Sequence, residues 1–370
     1  MKKLGFGLMR LPLQDKDDEK SVDTEQVKQM VDAFLARGFT YFDTAYMYHE
    51  FFSEQVVREA LVKRYPRDSF TLTTKMPVMF LEKEEDMERI FSEQLDKCGV
   101  EYFDYYLLHN LNISNYEIAQ KLDGFGFIQK KKEEGKIRRI GFSYHDNAVL
   151  LDEILTAHPE VEVVQLQMNY LDWENESIQS RKCYEVARRH GKDVIVMEPV
   201  KGGMLANIPQ EAEHLLREYA PDMSAASWAV RFAASHDGVL TVLSGMSDLT
   251  QLRDNMGYME SFVPFNEQEH DIVRRVVDTI NQTIAIPCTA CGYCVDGCPK
   301  HIAIPTYFAL YNLEKQANPE GFSVQGAYYE NYAQRHGKAS DCIDCKNCEK
   351  QCPQHLAIVQ GLRDVAKVFE

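Results

Sequence analysis

Short apolar runs alternate with amphipathic stretches along the chain from Leu4 to about Phe262. The runs have the length of buried strands, whereas the stretches between them repeat apolar positions at helical spacing. Strand–helix alternation repeated eight times predicts a parallel (β/α)8 barrel, an α/β fold of the TIM-barrel type, for which about 250 residues suffice. The predicted strands are Leu4–Leu8, Thr40–Asp43, Phe70–Lys75, Phe103–Leu108, Arg139–Ser143, Val163–Met168, Val194–Glu198 and Leu240–Ser244.

Several of the helical stretches stop at a glycine, as at Gly38, Gly135 and Gly191, which is typical of a helix C-terminus. Periodicity alone leaves an open, doubly wound sheet as the alternative. That fold is disfavoured because only a fragment, Gly5-Phe-Gly7, stands where a Gly-x-Gly-x-x-Gly turn would follow the first strand. The predicted helices are Thr24–Arg37, Ser53–Arg64, Lys83–Cys98, Phe125–Glu134, Ala148–Ala157, Ile178–His190, Ser224–Ala234 and Leu249–Met259.

The alternation ends near Pro264, and a helical connector over Glu267–Asn281 leads into a cysteine-rich tail. We therefore expect two domains, residues 1–280 and residues 281–370. In the second domain the pattern predicts a helix over His301–Gln316. The stretch Asn318–Ser340, rich in Tyr, Gly and Asn, is interpreted as a loop or a docking surface.

The composition narrows the class of protein. The 370 residues carry a formal net charge of −16, which disfavours nucleic acid and anionic membrane surfaces as partners. No apolar run is long enough to span a bilayer, and the N-terminus lacks the apolar stretch of a secretory signal. We expect a cytoplasmic protein, in which disulfides are rare, so the ten cysteines need another explanation.

Eight cysteines form two quartets of the same spacing, each with its fourth cysteine directly before a proline. Spacings of two, two and three residues followed by Cys-Pro are those of bacterial ferredoxins, and they predict two 4Fe-4S clusters with crossed ligation. Zinc is the alternative, since Cys-x-x-Cys also suits that ion. Cys98 and Cys183 lie outside the quartets and are predicted to be free and buried. The predicted ligands are Cys288, Cys291, Cys294 and Cys352 for one cluster, and Cys342, Cys345, Cys348 and Cys298 for the other.

Three consecutive predicted strands each carry an ionisable residue at the C-terminal end: Asp43, Lys75 and His109. In a parallel barrel those ends share one face, where active sites lie. Tyr48 follows Asp43 by five residues, flanked by Tyr46 and His49, which are interpreted as loop packing or pocket wall. Lys75 is expected to lower the pKa of Tyr48 below its reference of about 10, with Asp43 holding Lys75 charged.

These residues lie within a wider resemblance. The stretch Phe42–Tyr48 followed by Ser53-Glu54, together with Thr74-Lys75, Leu107–His109 and Gly135–Ser143, resembles the signature of the aldo/keto reductases. The resemblance covers roughly residues 4–260. It implies that Tyr48 is the general acid/base, that Lys75 and Asp43 tune it, and that neutral His109 polarises a substrate carbonyl.

The resemblance also implies positions for a nicotinamide cofactor. Ser143 and Gln165 match the residues that bind the nicotinamide carboxamide, and Met197 stands where many members stack a tyrosine on the ring. Asn255 suits the adenine contact. Family members that prefer a cofactor with a 2′-phosphate often carry Lys and Arg at the positions of Gly245 and Gln251. Arg253 lies near these positions in the sequence and is a candidate to replace the missing cation. NADPH and NADH both remain open, and a flavin is a further alternative.

The two modules handle electrons differently, because a hydride carries two electrons together and an iron–sulfur cluster passes one. We expect an oxidoreductase that transfers hydride between a nicotinamide cofactor and a small carbonyl or alcohol substrate. The clusters would exchange single electrons with a ferredoxin or another redox partner. Two alternatives are a flavin- or ferredoxin-linked reductase that uses the barrel without NAD(P)H, and an electron-transfer protein with an idle barrel.

Overall fold

The computed structural model describes residues 2–15, 18–176, 178–282, 285–286, 288, 292, 294–295, 297–316, 323–352 and 356–370. The chain divides into two compact units. The first unit comprises Met1–Glu174, Ile178–Pro199 and Ala226–Glu269; the second comprises Asn175–Ser177, Val200–Ala225 and His270–Glu370. A long loop that follows the seventh strand therefore belongs to the second unit.

Within the described residues, eight parallel strands close into a barrel in sequence order. Each predicted strand is present within a few residues of its expected bounds, so the predicted (β/α)8 barrel is confirmed. The strands are β1 (Leu4–Gly7), β2 (Tyr41–Asp43), β3 (Thr71–Met76), β4 (Phe103–Leu111), β5 (Ile137–Tyr144), β6 (Val163–Gln167), β7 (Asp193–Met197) and β8 (Val239–Ser244).

The helices around the barrel follow the predicted pattern with four differences. Predicted helix Ser53–Arg64 is α-helical only to Val57 and continues as a π-helical turn over Arg58–Val62. Three further elements were not predicted: the short turn Tyr48–Phe51, in which His49 and Glu50 have left-handed backbone, and the helices Ile113–Lys121 and Gln210–Tyr219. The helices up to the connector are α1 (Thr24–Ala36), α2 (Tyr48–Phe51), α3 (Ser53–Val57), α4 (Glu84–Cys98), α5 (Ile113–Lys121), α6 (Gly124–Glu133), α7 (Ala148–Ala157), α8 (Ser180–Arg189), α9 (Gln210–Tyr219), α10 (Ala225–Ala234), α11 (Leu249–Glu260) and α12 (Glu267–Asn281).

Helix ends follow the sequence signals. Gly38, Gly135 and Gly191 adopt left-handed backbone with φ of 76°, 74° and 70°, as the sequence predicted. Side chains cap several N-termini; Asp23, for example, accepts a hydrogen bond from the Gln26 amide at the start of α1.

The barrel interior is filled by side chains that alternate along the strands. A buried apolar cluster of Tyr41, Tyr105, Leu107, Val163, Ile195 and Leu243 occupies it. Because side chains on a strand alternate with a period of two, the residues two positions further on also point inward, nearer the C-terminal ends. These include Asp43, His109 and Gln165. The polar residues at the barrel mouth therefore stand on a packed apolar floor.

The second unit is largely helical in its described part. Its remaining helices are α13 (Ile304–Gln316), α14 (Val324–Ala333), α15 (Asn347–Gln351) and α16 (Ile358–Phe369). Tyr329 lies at its core, with its ring centroid 4.6 Å from that of Tyr307 and 5.0 Å from that of Phe369. The phenol of Tyr329 accepts a hydrogen bond from the Ala339 amide, which ties α14 to the following turn.

The interpretation of Asn318–Ser340 as a loop is wrong for its described part. Helix α14 occupies Val324–Ala333 and begins at Ser323, whose hydroxyl accepts a hydrogen bond from the Gly326 amide at 2.8 Å. Tyr328 and Tyr329 are both buried, so tertiary packing outweighs a composition typical of loops. In the described residues, no helix has both the length and the apolar character needed to cross a membrane.

Candidate functional site

Strands β2, β3 and β4 deliver Asp43, Lys75 and His109 to the same rim of the barrel. The Lys75 ammonium donates to Asp43 Oδ1 at 2.6 Å and to the Thr44 carbonyl oxygen at 2.8 Å. All three ionisable residues are buried, with Lys75 at 0% exposure. The three sequence-predicted strand-end residues therefore come together as one cluster at the mouth.

Tyr48 joins this cluster from the segment that follows β2. Its ring centroid lies 5.1 Å from Lys75 Nζ, so the ammonium and the phenol are close enough for their charges to interact. The ring also lies 6.0 Å from the imidazole of His109, centroid to centroid, at an interplanar angle of 82°. An ammonium held by a carboxylate thus contacts the phenol, and an imidazole stands beside the same phenol.

The charges in this cluster favour an ammonium beside a protonated phenol. Burial alone would lower the pKa of Lys75, but the charges of Asp43 and Tyr48 outweigh it and the net pKa is raised. Burial raises the pKa of Tyr48 above 10.0, and Lys75 opposes that shift only in part. The sequence expectation of a net lowered pKa for Tyr48 is therefore corrected, because burial penalises the phenolate more than Lys75 favours it. Tyr48 keeps its proton at neutral pH, which is the form that a proton donor needs.

His109 is a neutral imidazole in this setting. Burial, followed by repulsion from the Lys75 ammonium and from His145 when that residue is protonated, holds the pKa of His109 well below 6.5. The same two causes, burial and then Lys75, lower the pKa of His145 to about 4. His109 Nδ1 has no hydrogen-bond partner among the described residues. A neutral imidazole has a single N–H to donate, so it can orient a carbonyl oxygen without placing a second cation in the site.

A buried polar network lies behind Lys75, on the outer side of β3. Glu54 Oε1 accepts from the Thr74 hydroxyl and from Gln94 Nε2, both at 2.7 Å. Gln94 Nε2 also donates to the Lys75 carbonyl oxygen at 3.0 Å, and the Tyr106 phenol donates to Gln94 Oε1 at 2.6 Å. Burial raises the pKa of Glu54 to about 7. The network links a fully buried carboxyl group to the main chain of the residue that carries the ammonium.

The role of Glu54 could not be assigned from the sequence, although it stands in the Ser53-Glu54 part of the family motif. In the structure α3 buries Glu54 together with Ser53, Val56 and Val57. A charged residue in an otherwise buried stretch is rare unless it has a partner.

The segment after Tyr48 has an unusual backbone. His49, Glu50 and Phe51 all have positive φ, at 51°, 47° and 72°. For residues with a Cβ, left-handed backbone costs roughly 1–2 kcal/mol each, so other contacts must hold this turn. His49 is buried, and its ring contacts the main chain of Leu11 and Glu19 rather than the mouth. Of the two roles predicted for His49, loop packing or pocket wall, these contacts agree with loop packing. The position of Tyr46 beside Phe51 agrees with loop packing as well.

Two of the predicted nicotinamide contacts are neighbours in the barrel wall. Ser143 on β5 and Gln165 on β6 are paired in register, and both are buried. The Ser143 hydroxyl accepts from the Asn110 amide at 2.8 Å. Gln165 Oε1 has no hydrogen-bond partner among the described residues. A buried amide oxygen that points inward fits the amide N–H of a carboxamide ligand. Met197 ends the neighbouring strand β7 and is partly buried.

The predicted adenosine-side residues lie after β8. Asn255 is buried, donates from Nδ2 to the Gln251 carbonyl oxygen at 2.7 Å, and accepts from the Tyr258 phenol. Gln251 Oε1 accepts from the Ser247 amide at 2.8 Å. Both amide side chains therefore have protein partners in this structure, whereas Gly245 is exposed.

Arg10 is a residue near this loop that the sequence analysis did not single out. A Cβ added to Gly245 would lie 3.3 Å from Arg10 Cδ, so the arginine stem lies against the glycine. Arg10 is partly buried, and Ser247 Oγ donates to its carbonyl oxygen at 2.8 Å. The stem of a cationic side chain therefore lies against Gly245, one of the two positions at which this sequence lacks the expected cation. No spacing rule in the sequence connects residues so far apart.

In the second unit, four cysteines line one cavity. One of them, Cys298, comes from the first quartet, whereas the other three, Cys342, Cys345 and Cys348, come from the second. Burial raises the pKa of Cys348 to about 11, and the neighbouring Cys342 thiol adds to the shift. As thiolates, cysteines grouped in this way would need a compensating cation. The rest of the lining is mostly apolar and includes two lysines: Pro299, Lys300, Ile302, Ile304, Ile343, Lys346, Val359 and Leu362.

The other predicted cysteine set is described in part. Cys294 and Cys352 are buried and Cys288 is partly buried, whereas Cys291 lies outside the described residues. Cys98 and Cys183 are free and buried, as predicted. Burial raises the pKa of Cys183 to about 12 and that of Cys98 well above 9.0, so neither is a reactive thiolate.

Comparison with known proteins agrees with this division of the chain. Residues 3–278 match the aldo/keto reductase family, and residues 287–357 match a 4Fe-4S dicluster domain. The uncharacterized oxidoreductase YqkF of Bacillus subtilis (strain 168) is 23% identical over 271 residues, which cover 64% of this chain and 83% of that protein.

Solved structures share the barrel. The aldo-keto reductase AKR11C1 from Bacillus halodurans (holo form) is similar with a TM-score of 0.58 and 24% identity, covering 74% of this chain and 91% of that chain. An aldo/keto reductase from Klebsiella pneumoniae in complex with NADP and acetate gives a TM-score of 0.58 and 19% identity, covering 74% and 91%. At these identities the structures show the fold alone. The family match over most of the chain shows more: the protein belongs to the aldo/keto reductase family of oxidoreductases and carries a 4Fe-4S domain after its barrel.

Proposed function

We propose that the barrel interconverts a small carbonyl compound and its alcohol with NADP(H), and that the cysteine sets hold two 4Fe-4S clusters for single-electron exchange. The observation that carries the first part is the buried Lys75–Asp43 ion pair, 2.6 Å between nitrogen and oxygen, whose ammonium lies 5.1 Å from the centroid of the Tyr48 ring. Bound NADP(H) would supply or accept the hydride. The residues of the chain supply the proton and the orientation.

Tyr48 acts as the proton donor when the carbonyl is reduced. Hydride addition to carbon leaves an alkoxide, which takes the phenolic proton and becomes the alcohol. The tyrosinate that remains is stabilised by the adjacent Lys75 ammonium, which Asp43 holds in place. His109, a neutral donor beside the phenol, orients the carbonyl oxygen. In the oxidation direction the same groups act in reverse.

The nicotinamide end of the cofactor would lie against Ser143, Gln165 and Met197. The unpartnered Gln165 Oε1 supports this placement, since a carboxamide N–H would satisfy it. A similar structure from Klebsiella pneumoniae is a complex with NADP. At the adenosine end Asn255 would contact the adenine. We infer that Arg10, beside Gly245, supplies the cation for the 2′-phosphate and favours NADPH over NADH.

The cluster ligands follow the crossed scheme. Cys298, Cys342, Cys345 and Cys348 would hold one cluster, since these four line a single cavity. Cys288, Cys291, Cys294 and Cys352 would hold the other. Four thiolates around one space with largely apolar walls fit a 4Fe-4S cluster, and the paired quartets favour it over zinc. We propose that the boundary between the barrel domain and the cluster domain lies at about residue 280.

The experiment is a cofactor survey of anaerobically purified protein. We expect a spectrum of iron–sulfur clusters without flavin bands, NADPH-dependent reduction of short aldehydes, and weaker activity with NADH. Flavin bands that dithionite bleaches would favour a flavin-linked reductase instead. Cluster reduction by ferredoxin without any NAD(P)H-linked turnover would favour an electron-transfer protein with an idle barrel.

A further inference from the structure

The three residues after Tyr48 form a left-handed turn that their own backbone does not favour. His49, Glu50 and Phe51 have φ of 51°, 47° and 72°. Residues with a Cβ visit this region singly, and consecutive ones persist only when the surroundings hold them. What holds this turn therefore also sets the direction in which the chain leaves Tyr48.

The imidazole of His49 makes two hydrogen bonds to the main chain of an N-terminal segment. The Leu11 amide donates to His49 Nε2 at 3.2 Å, and His49 Nδ1 lies 3.0 Å from the Glu19 carbonyl oxygen. An amide N–H can only donate and a carbonyl can only accept, so these partners require the neutral ring with its proton on Nδ1. Burial lowers the pKa of His49, in keeping with that form. We call these two contacts the His49 bridge.

Other contacts hold the N-terminal segment to which the His49 bridge is made. The Ser53 hydroxyl donates to the Leu8 carbonyl oxygen at 3.3 Å and pairs with the Thr44 hydroxyl at 2.9 Å. Leu13 and Val22 pair as an antiparallel bridge, which brings the two ends of the Leu11–Glu19 segment together. An ion pair between Lys20 and Glu50 at 3.2 Å is exposed and contributes little. Among the described residues, the His49 bridge thus provides a largely buried contact that attaches the left-handed turn to a braced part of the barrel.

We propose that His49 is a positioning residue that holds Tyr48 against Lys75 by fixing the left-handed turn through the His49 bridge. This inference rests on the proposed role of Tyr48 as proton donor. Without the bridge the turn relaxes toward right-handed backbone, and the phenol moves away from the ammonium. The proton must be delivered in the transition state, so the loss falls on kcat rather than on substrate binding.

The test compares four variants in the full-length holoenzyme: His49→Leu, His49→Gln, Tyr48→Phe and His214→Leu. Leucine fills the site but makes neither hydrogen bond. Glutamine offers one donor and one acceptor and can restore the bridge. His214 is exposed on α9, so its replacement controls for loss of a histidine. For each variant, NADPH-dependent aldehyde reduction gives kcat and KM, and hydrogen–deuterium exchange reports on the peptides that contain residues 9–12 and 46–53.

We expect His49→Leu to lower kcat by about 10- to 100-fold with KM little changed, and to speed exchange in both peptides. His49→Gln should restore most of both properties, and His214→Leu should match the parent protein. Unchanged kcat and exchange in His49→Leu would overturn the proposal. The proposal would also be overturned if His49→Gln were as impaired as His49→Leu. The volume of the ring, and not its hydrogen bonds, would then be what matters.

The outcomes separate this inference from the proposed function. If the parent protein reduces no aldehyde, or if Tyr48→Phe turns over as fast as the parent, the proposed function fails. The exchange data then still decide the structural claim. Faster exchange in His49→Leu that His49→Gln reverses supports the His49 bridge, and unaltered exchange overturns it.

Discussion

Replacing Glu54 by glutamine should make the stability of the barrel less sensitive to alkaline pH. Glu54 is fully buried, and its Oε1 accepts from Thr74 and Gln94 at 2.7 Å. Its other oxygen, Oε2, has no partner among the described residues. A protonated carboxyl group tolerates that position, whereas a carboxylate there is poorly solvated. Glu54→Gln keeps the shape of the group and removes its ability to ionise.

The magnitude follows from the pKa. Burial raises the pKa of Glu54 from 4.5 to about 7. Since the folded-state pKa exceeds the unfolded one, the protonated group stabilises the fold below about pH 4.5, and this contribution is lost as the pH rises through about 7. A shift of roughly 2.5 pKa units corresponds to about 3 kcal/mol. Between about pH 4.5 and pH 7, the free energy of unfolding of the parent should therefore fall by about 3 kcal/mol relative to that of Glu54→Gln.

Thermal unfolding at a series of pH values measures this difference. For a cooperative unit the size of the barrel, about 3 kcal/mol corresponds to a relative shift in Tm of roughly 5 °C. Glu101→Gln, at an exposed position, is the matched control and should show no pH-dependent difference. The reasoning is refuted if the Tm difference between Glu54→Gln and the parent is the same at pH 5 as at pH 8.

Three further predictions concern the mouth, the clusters and the cofactor. Lys75→Met should destabilise the fold by about 3–5 kcal/mol because it leaves Asp43 buried and unpaired. Adding Asp43→Asn to this variant should restore Tm but not turnover. Equal Tm values in the single and the double variant would contradict this reasoning. Cys298→Ser should remove about half of the iron and alter the EPR signal of one cluster, whereas Cys352→Ser should alter the EPR signal of the other cluster. Loss of the same signal in both variants would contradict crossed ligation. Arg10→Gln should raise KM for NADPH about tenfold and leave KM for NADH unchanged. The control variant Arg253→Gln should change neither KM value. If Arg10→Gln affected both cofactors equally, a contact between Arg10 and the 2′-phosphate would be excluded.

Much of the barrel could be predicted because its signals are local. Each strand is a short apolar run, and glycine ends several of the intervening helices. The strand-end positions of Asp43, Lys75 and His109 followed from the same pattern, because parallel strands in a barrel present their C-terminal ends on one face. Helices α5 and α9 escaped prediction because they are insertions beyond the eightfold alternation.

The contacts that sequence reasoning missed connect residues far apart in the chain or depend on unusual backbone. The His49 bridge joins positions separated by 38 and 30 residues, and left-handed backbone at three residues other than glycine has no sequence signature. Arg10 reaches Gly245 only because β1 and β8 are neighbours in the closed barrel. The direction of the Tyr48 pKa shift also required burial, which competes with the charge of Lys75.

The C-terminal unit shows a different limit. Cysteine spacing assigns Cys298, which precedes a proline in one quartet, to the same cluster as three cysteines of the other quartet, and these four cysteines line one cavity of the described residues. The same stretch misled the prediction of secondary structure at α14. Its tyrosines, typical of a loop by composition, pack into the core of the unit with Tyr307 and Phe369.

The central claim is that the mouth of the barrel delivers a hydride and a phenolic proton to one carbonyl. A single-turnover reaction with NADPH deuterated at the transferring position, followed by mass analysis of the alcohol, measures this most directly in the parent protein and in Tyr48→Phe. We predict one deuterium on the carbinol carbon of the parent product and a rate at least about 10²-fold lower in Tyr48→Phe. Product formed without deuterium, or at the same rate by both proteins, would contradict the account.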